Sequence, residues 1–244
     1  MVHLFIINLE RRKDRWNLFK QHVNDIFKNQ EEDNQKWFTY ERFVAVCKPL
    51  EPRTGCMQSH RNAVALAKER GYKRVWVCED DIVFRFTDPE KMRTAFELAE
   101  KYMEHVKASI MLGGSSFNSG LKFVGKRRDA VQSLGMPFPK EISFMSVTGR
   151  FSGTHCLCYD VAACLPILQN PKSCPEKQHL DVSLSEHMGK NRNTFSIFVM
   201  CPFIAYARDG DSDIRGGKYC EDQKYFENAE NSCRKMLEKN IWWR

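Results

Sequence analysis

Glu79, Asp80 and Asp81 stand in succession behind the apolar run Val75-Trp76-Val77-Cys78 and ahead of Ile82-Val83-Phe84. A carboxylate taken out of water without a partner is costly, so three of them between β-rich runs demand a cation or a dense set of hydrogen bonds. On an extended strand Glu79 and Asp81 point to one side and Asp80 to the other. A divalent ion at the strand's C-terminal end would take Asp81 directly, with Glu79 or Asp80 as a second ligand or as its support. The plainer alternative is a β-turn or helix start with a solvated acidic surface.

Arg11, Arg12, Lys13 and Arg15 follow the first apolar segment, His3 to Leu9. Arg11 and Arg15, four apart, fall on one face of a helix that begins there, where they could grip the phosphates of a nucleotide; a solvated basic helix start is the competing reading. In an open α/β sheet, ligands sit beyond the carboxyl ends of the strands. The basic cluster and the acidic triplet both occupy that position, and acids facing bases across one sheet edge suit a metal-bridged diphosphate.

The elements that must hold these groups alternate in type. Residues 3–9 read as a buried strand, and Trp16, Phe19, Val23 and Phe27 recur at helical spacing over residues 14–27. After a polar loop at 28–36, residues 43–47 read as a second strand. Thr54 is a plausible cap for a helix over 55–70, closed by Gly71. Residues 74–78 form a strand that runs into the triplet, and Asp88-Pro89 opens a helix reaching Val106. A further strand over 109–112 ends at Gly113-Gly114. Residues 117–153 read as an irregular excursion with short antiparallel strands near 122–125 and 142–147. A strand over 154–159, helices over 161–168 and 180–188, a long apolar strand over 194–206 broken by Pro202, and a polar amphipathic helix over 225–239 complete the chain. Strand and helix in alternation argue for an α/β fold with a mostly parallel central sheet flanked by helices and a short antiparallel excursion.

The 244 residues suffice for one sizeable core. Nothing in them reaches the roughly 18 apolar residues of a membrane span, and Met1 to Leu9 lacks the basic start and cleavage site of a secretory signal, so the chain reads as cytoplasmic. The ten cysteines include no C-x-x-C pair and several lie in apolar runs, which favours buried reduced thiols; Cys156 and Cys158 share one strand face. A net charge of +7 favours anionic partners, but the basic residues are dispersed, apart from Arg11 to Arg15 and Lys126-Arg127-Arg128. No nucleic-acid motif is present, and nucleic acid is not expected as a partner.

Three segments carry a family resemblance. Ile7-Asn8-Leu9-Glu10-Arg11-Arg12-Lys13-Asp14-Arg15, then Gly55-Cys56-Met57-Gln58-Ser59-His60, then Glu79-Asp80-Asp81 resemble the successive signatures of glycosyltransferase family 25, which includes lipooligosaccharide and procollagen galactosyltransferases. Leu112-Gly113-Gly114, Leu180-Asp181 and Ser212-Asp213-Ile214 extend the match to about residues 3–216. The resemblance implies a GT-A fold, which is Rossmann-like, and a nucleoside-diphosphate sugar donor, usually UDP-galactose or UDP-glucose. It also implies Mn²⁺ or another divalent cation on the acidic triplet, and inversion at the anomeric carbon of the sugar passed to a glycan or hydroxylated protein. The triplet departs from the more usual aspartate-x-aspartate form by having Glu first. On this resemblance residues 1–114 are a nucleotide-sugar-binding half, 115–216 an acceptor and catalytic half, and 217–244 a helical tail of one domain.

Inversion needs a base opposite the leaving group, and Asp181 and Asp213 are the candidates. Asp181, beside His179 at a helix start, is favoured narrowly over its equally simple role as helix N-terminal charge. Asp213 lies in the acidic stretch Asp209-Gly210-Asp211-Ser212-Asp213, where it would complete the metal shell, contact the donor, or merely form a turn. Asn8, Arg11, Arg12, Arg15, His60, Gly113 and Gly114 are the donor-binding candidates. His60 shares a helix face with Cys56, Ala63 and Ala67, so a core histidine is its default role and a phosphate contact the sharper one. Gly113 and Gly114 either admit the sugar closely or form a turn. The rival to catalysis is a binding protein that holds a nucleotide sugar or glycan without reacting it.

Overall fold

The computed structural model describes residues 1–28, 37–123, 142–214, 218–220 and 222–241. Strand β1, Val2–Asn8, is buried along nearly its whole length. Helix α1, Lys13–Phe27, buries Phe19, Val23, Ile26 and Phe27, while Trp16 packs at the margin of the same cluster. Arg12 occupies the N-cap position, so Arg11 belongs to the turn before the helix and shares no helix face with Arg15. The second strand, β2, is Phe38–Val44 rather than 43–47. It pairs in parallel with all seven residues of β1, from Val2 opposite Phe38 to Asn8 opposite Val44. That ladder outweighs the local apolar content of residues 45–47, which leave the sheet.

Helix α2, Pro52–Glu69, starts earlier than the sequence suggests, with proline in its first turn. Thr54 is therefore not its cap; its hydroxyl donates to the Glu176 carbonyl at 2.7 Å. Gly71, at φ +73°, lets the chain turn away beyond the helix end. Strand β3, Arg74–Glu79, is followed by β4, Ile82–Phe84, then by α3, Pro89–Val106, whose first turn is capped by Asp88 accepting from the Lys91 N–H at 2.9 Å. Next come β5, Ile110–Leu112, and the short strands β6, Phe117–Asn118, β7, Leu121–Phe123, β8, Ser143–Val147, and β9, Phe151–Ser152. The second half contains β10, Cys156–Asp160, α4, Val161–Gln169, α5, Leu180–Lys190, and β11, Ile197–Cys201. After a cis Cys201–Pro202 peptide the chain forms β12, Ala205–Ala207, β13, Gly210–Ser212, β14, Lys218–Cys220, and α6, Asp222–Ile241. The basic stretch at 126–128 and Trp242-Trp243 lie outside the described residues, as does most of the loop expected at 28–36.

The fold is α/β. An eight-stranded sheet has the order β2-β1-β3-β10-β5-β11-β8-β7. Strands β2, β1 and β3 are parallel, as are β5 and β11, whereas β10 and β8 run against their neighbours. The pairs β7–β8 and β6–β9 make up the antiparallel excursion. Strand β4 does not prolong β3: it pairs with β12 in a separate ladder, and Asp80 and Asp81 form the turn between β3 and β4.

Side-chain alternation divides the core between the two sheet faces. Trp76, Cys78, Cys156 and Cys158 pack with α1 and α3 on one face. Val75, Val77, Leu157 and Tyr159 pack with α2, α4, α5 and α6 on the other. All ten cysteines are free, eight of them buried. The reversal of β10 has a functional consequence: its entry, Thr154-His155, lies at the sheet edge where β1 and β3 end. Among the described residues no helix is long and apolar enough to cross a membrane.

Candidate functional site

That edge opens into a cleft of about 420 Å³, a size typical of small-molecule sites. Arg11, Arg15, Glu79, Asp80, Asp81, Asp181 and Asp213, far apart in the chain, all line it.

Glu79 closes β3, and its Oε1 accepts from the Thr154 hydroxyl at 2.8 Å while Oε2 lies 3.6 Å from His155 Nδ1. Asp81 reaches the same ring, with Oδ1 3.1 Å from Nδ1, and its Oδ2 accepts from Arg15 at 3.1 Å. Asp80 accepts from Asn8 Nδ2 at 2.5 Å and, at 3.0 Å, from the same Arg15 nitrogen that serves Asp81. Glu79 and Asp81 share His155 and Asp80 does not, but Asp80 and Asp81 share one Arg15 nitrogen, so the turn keeps the alternation of a strand only in part. Asn8 is buried beneath the cleft: it also donates to the Arg12 carbonyl at 2.9 Å and accepts from Arg42 at 2.8 Å. It fixes Asp80 rather than facing the cavity.

Burial opposes every charge here, and the partners decide which survive. Burial pushes the Glu79 carboxyl up, and burial together with the Asp81 charge pushes Asp80 up to about 6. Burial also opposes ionisation of Asp81, yet His155 and Arg15 hold it below the usual carboxylate range. For His155, burial favours the neutral ring, but Glu79 and Asp81 raise it to about 10, so it is an imidazolium at neutral pH. Arg15 and His155 thus supply two positive charges against three carboxylates. The sequence leaves His155 ambiguous, like His60, between a core histidine and a phosphate contact, and gives Thr154 no role beyond opening a strand. Their signal was position: a hydroxyl and an imidazole directly ahead of the apolar strand Cys156-Leu157-Cys158-Tyr159.

The basic residues also meet the segment 209–213, part of which lines the cleft. Arg11 and Arg12 both pair with Asp213, at 2.5 and 2.8 Å, Arg12 also pairs with Asp14 at 2.9 Å, and Arg15 donates to the Asp211 carbonyl. Asp209 accepts from the Gln223 N–H at 2.8 Å and so serves the start of α6. Asp181, in the first turn of α5, accepts from the Gly153 and Val182 N–H groups at 3.2 and 2.8 Å. Those bonds hold its carboxylate in place, and the residue lines the cleft.

Besides Asn8 and Arg12, three more candidates do not line the cleft. Gly113 and Gly114 are buried, and their smallness serves packing: a Cβ on Gly113 would stand 2.5 Å from Cys156 Sγ, and one on Gly114 would collide with the Ala205 carbonyl oxygen. Gly114→Ala is expected to cost about 2–3 kcal/mol of stability in urea titrations. His60 is fully buried, its Nδ1 3.0 Å from the Tyr159 hydroxyl. Burial lowers it to about 3, so the unfolded chain takes up this proton near pH 6.5 while the folded chain resists. Stability contributed by His60 is therefore intact above pH 6.5 and is lost as pH falls toward 3. Comparing urea midpoints, His60→Gln should show a pH 7 to pH 5 loss smaller than the wild type's by about 2 kcal/mol.

No family model matches the chain, and no curated protein matches its sequence. Among solved structures it is similar to UDP-glucose pyrophosphorylase complexed with UDP-glucose, at 10% identity and a TM-score of 0.41 over 97% of this chain and all of that one. Apo UDP-glucose pyrophosphorylase gives 11% identity and a TM-score of 0.40, over 97% of this chain and 82% of the other. A mannose-1-phosphate geranyltransferase from Thermus thermophilus gives 10% identity and a TM-score of 0.40, over 81% and 72%.

Proposed function

We propose that the chain is an inverting, metal-dependent glycosyltransferase of family 25 with a GT-A fold. It would move galactose or glucose from a UDP-sugar to a hydroxyl of a glycan or hydroxylated protein. The observation that carries this reading is the convergence of Glu79, Asp81 and His155 on one point of the cleft, where their ligand atoms lie within 4.8 Å of one another. Two carboxylates and an imidazole that releases its proton to the solvent when metal enters are a donor set that suits Mn²⁺, so the residues fit the ion the family implies. Such an ion, when bound, supplies positive charge for the diphosphate as it leaves the sugar.

The chain's own groups do the rest. Arg11 and Arg12, on the β1–α1 turn, are placed to exchange Asp213 for phosphate oxygens, a bidentate geometry to which guanidinium is suited. Asp80, held by Asn8 and Arg15, keeps Arg15 aimed at Asp81. Asp181 is the base on this reading: its carboxylate, oriented by two backbone N–H groups, takes the proton of the acceptor hydroxyl as that oxygen attacks the anomeric carbon opposite the departing UDP. The test is a panel of UDP-sugars incubated with Mn²⁺, with and without glycan and hydroxylysine-peptide acceptors, and assayed for UDP. Mn²⁺-dependent UDP release from UDP-galactose or UDP-glucose is expected. Tight binding of UDP-sugars in calorimetry with no UDP released over long incubation would instead make the chain a non-catalytic binding protein.

A further inference from the structure

We propose that Cys56, His60 and Glu79 form a second metal site, one that takes Zn²⁺ or another thiophilic dication. The thiol, an imidazole nitrogen and a carboxylate oxygen of these residues lie within 4.8 Å of one another. Cys56 and His60 are four apart on α2, so one helix face presents both, and Glu79 reaches them from the end of β3. Ligand atoms held by one tetrahedral Zn²⁺ are on the order of 3.5 Å apart, so small side-chain rotations close the set.

A second observation points to a ligand. His60 Nε2 is buried and has no hydrogen-bond partner, an unusual state for a ring nitrogen inside a protein. Its Nδ1 meets the Tyr159 hydroxyl at 3.0 Å. With Nδ1–H donating to that oxygen, the lone pair is on Nε2, and the ring orientation is fixed, as outer partners fix metal-binding histidines elsewhere. The charge also balances. Binding breaks the Cys56 S–H bond, sends the proton to solvent and forms a Zn–S bond; thiolate and Glu79 carboxylate then cancel the two charges of the ion, so a nearly buried site stays neutral. Cys56 and Glu79 line the cleft while His60 lies behind it, so water or a small ligand in the cavity could complete the set. The donors of this site include a soft sulfur, whereas Glu79, Asp81 and His155 offer only oxygen and nitrogen; the two sites select different ions and share only Glu79.

Chelator-stripped protein carrying Cys47→Ser, which removes the exposed thiol, is titrated with Co²⁺ and followed by absorption. The expected result is a thiolate-to-cobalt charge-transfer band saturating at one ion per chain and displaced by Zn²⁺. Cys56→Ser should abolish the band. In competition with a chromophoric chelator, Zn²⁺ affinity should fall at least ~10-fold in both Cys56→Ser and His60→Gln. Asp81→Asn, which removes a ligand from the other set alone, should keep the band, so failure of the proposed transferase reading and failure of this site are separable. Absence of a thiolate band in the starting protein, its persistence in Cys56→Ser, or unchanged Zn²⁺ affinity there would overturn the proposal. If His60→Gln does not melt cooperatively, the spectra of the starting protein and Cys56→Ser decide the matter.

Discussion

Asp81→Asn should lower Mn²⁺-dependent release of UDP from a UDP-sugar by about 10³-fold while leaving a cooperatively folded protein. Asp81 is the residue at which the cleft's electrostatics meet: one oxygen faces His155 Nδ1 and the other accepts from Arg15. An amide of nearly the same shape keeps the volume but removes the charge, and its nitrogen cannot serve as a ligand. The structural cost is moderate because neither neighbour is stranded. Arg15 retains Asp80, and His155 retains Glu79 at 3.6 Å and can release its proton. A loss of about 1–2 kcal/mol is expected in urea titrations. Kinetics with Mn²⁺ varied, together with the electron-spin resonance signal of free Mn²⁺, separate the two effects. Full activity in a protein that binds Mn²⁺ normally would remove Asp81 from the metal site.

Arg15→Met should have the largest effect on stability. Arg15 is only 15% exposed, and its guanidinium serves Asp80 and Asp81, themselves 9% and 13% exposed. A methionine fills similar space but leaves two nearly buried carboxylates facing each other, the kind of orphaned charge that costs about 3–5 kcal/mol. Two conditions should restore part of that loss. On the proposed function Mn²⁺ binds the folded cluster and not the unfolded chain, so it should raise the melting temperature of Arg15→Met more than that of the wild type. Acid should help as well. Asp80 is at about 6 when folded with Arg15 present, above its unfolded value of 3.8, so between those values the folded state binds more protons, and the contribution of this group to stability rises as pH falls. Without the guanidinium that window widens upward. Equal melting temperatures for variant and wild type at pH 7 in the absence of metal would refute the argument that Arg15 neutralises the triplet.

The sequence made the elements legible where local physics decides them. Phe19, Val23 and Phe27 at helical spacing marked α1, and Asp88-Pro89 marked the start of α3. It misplaced β2 because a strand at a sheet edge is set by its partner, here the full length of β1, rather than by its own apolarity. It placed Thr54 as a cap because a hydroxyl near a helix start has two uses, and only the approach of Glu176 shows which applies. The same limit governs the glycines: turn chemistry is local, but the closeness of Cys156 and Ala205 to Gly113 and Gly114 is not.

The acidic triplet shows where the two sources of information divide. By itself the sequence determined that three carboxylates interrupt apolar strand-forming residues and that an unusual amount of neutralising charge must be found for them. Which groups provide it was decided only by the tertiary structure. Asn8 meets Asp80 across 72 residues, His155 meets Asp81 across 74, and Arg12 meets Asp213 across 201. Spacing and periodicity report on neighbours within a few turns or a strand's length, whereas these contacts follow from strand order. Because β10 enters the sheet reversed between β3 and β5, Thr154 and His155 arrive at the edge where Glu79 ends β3.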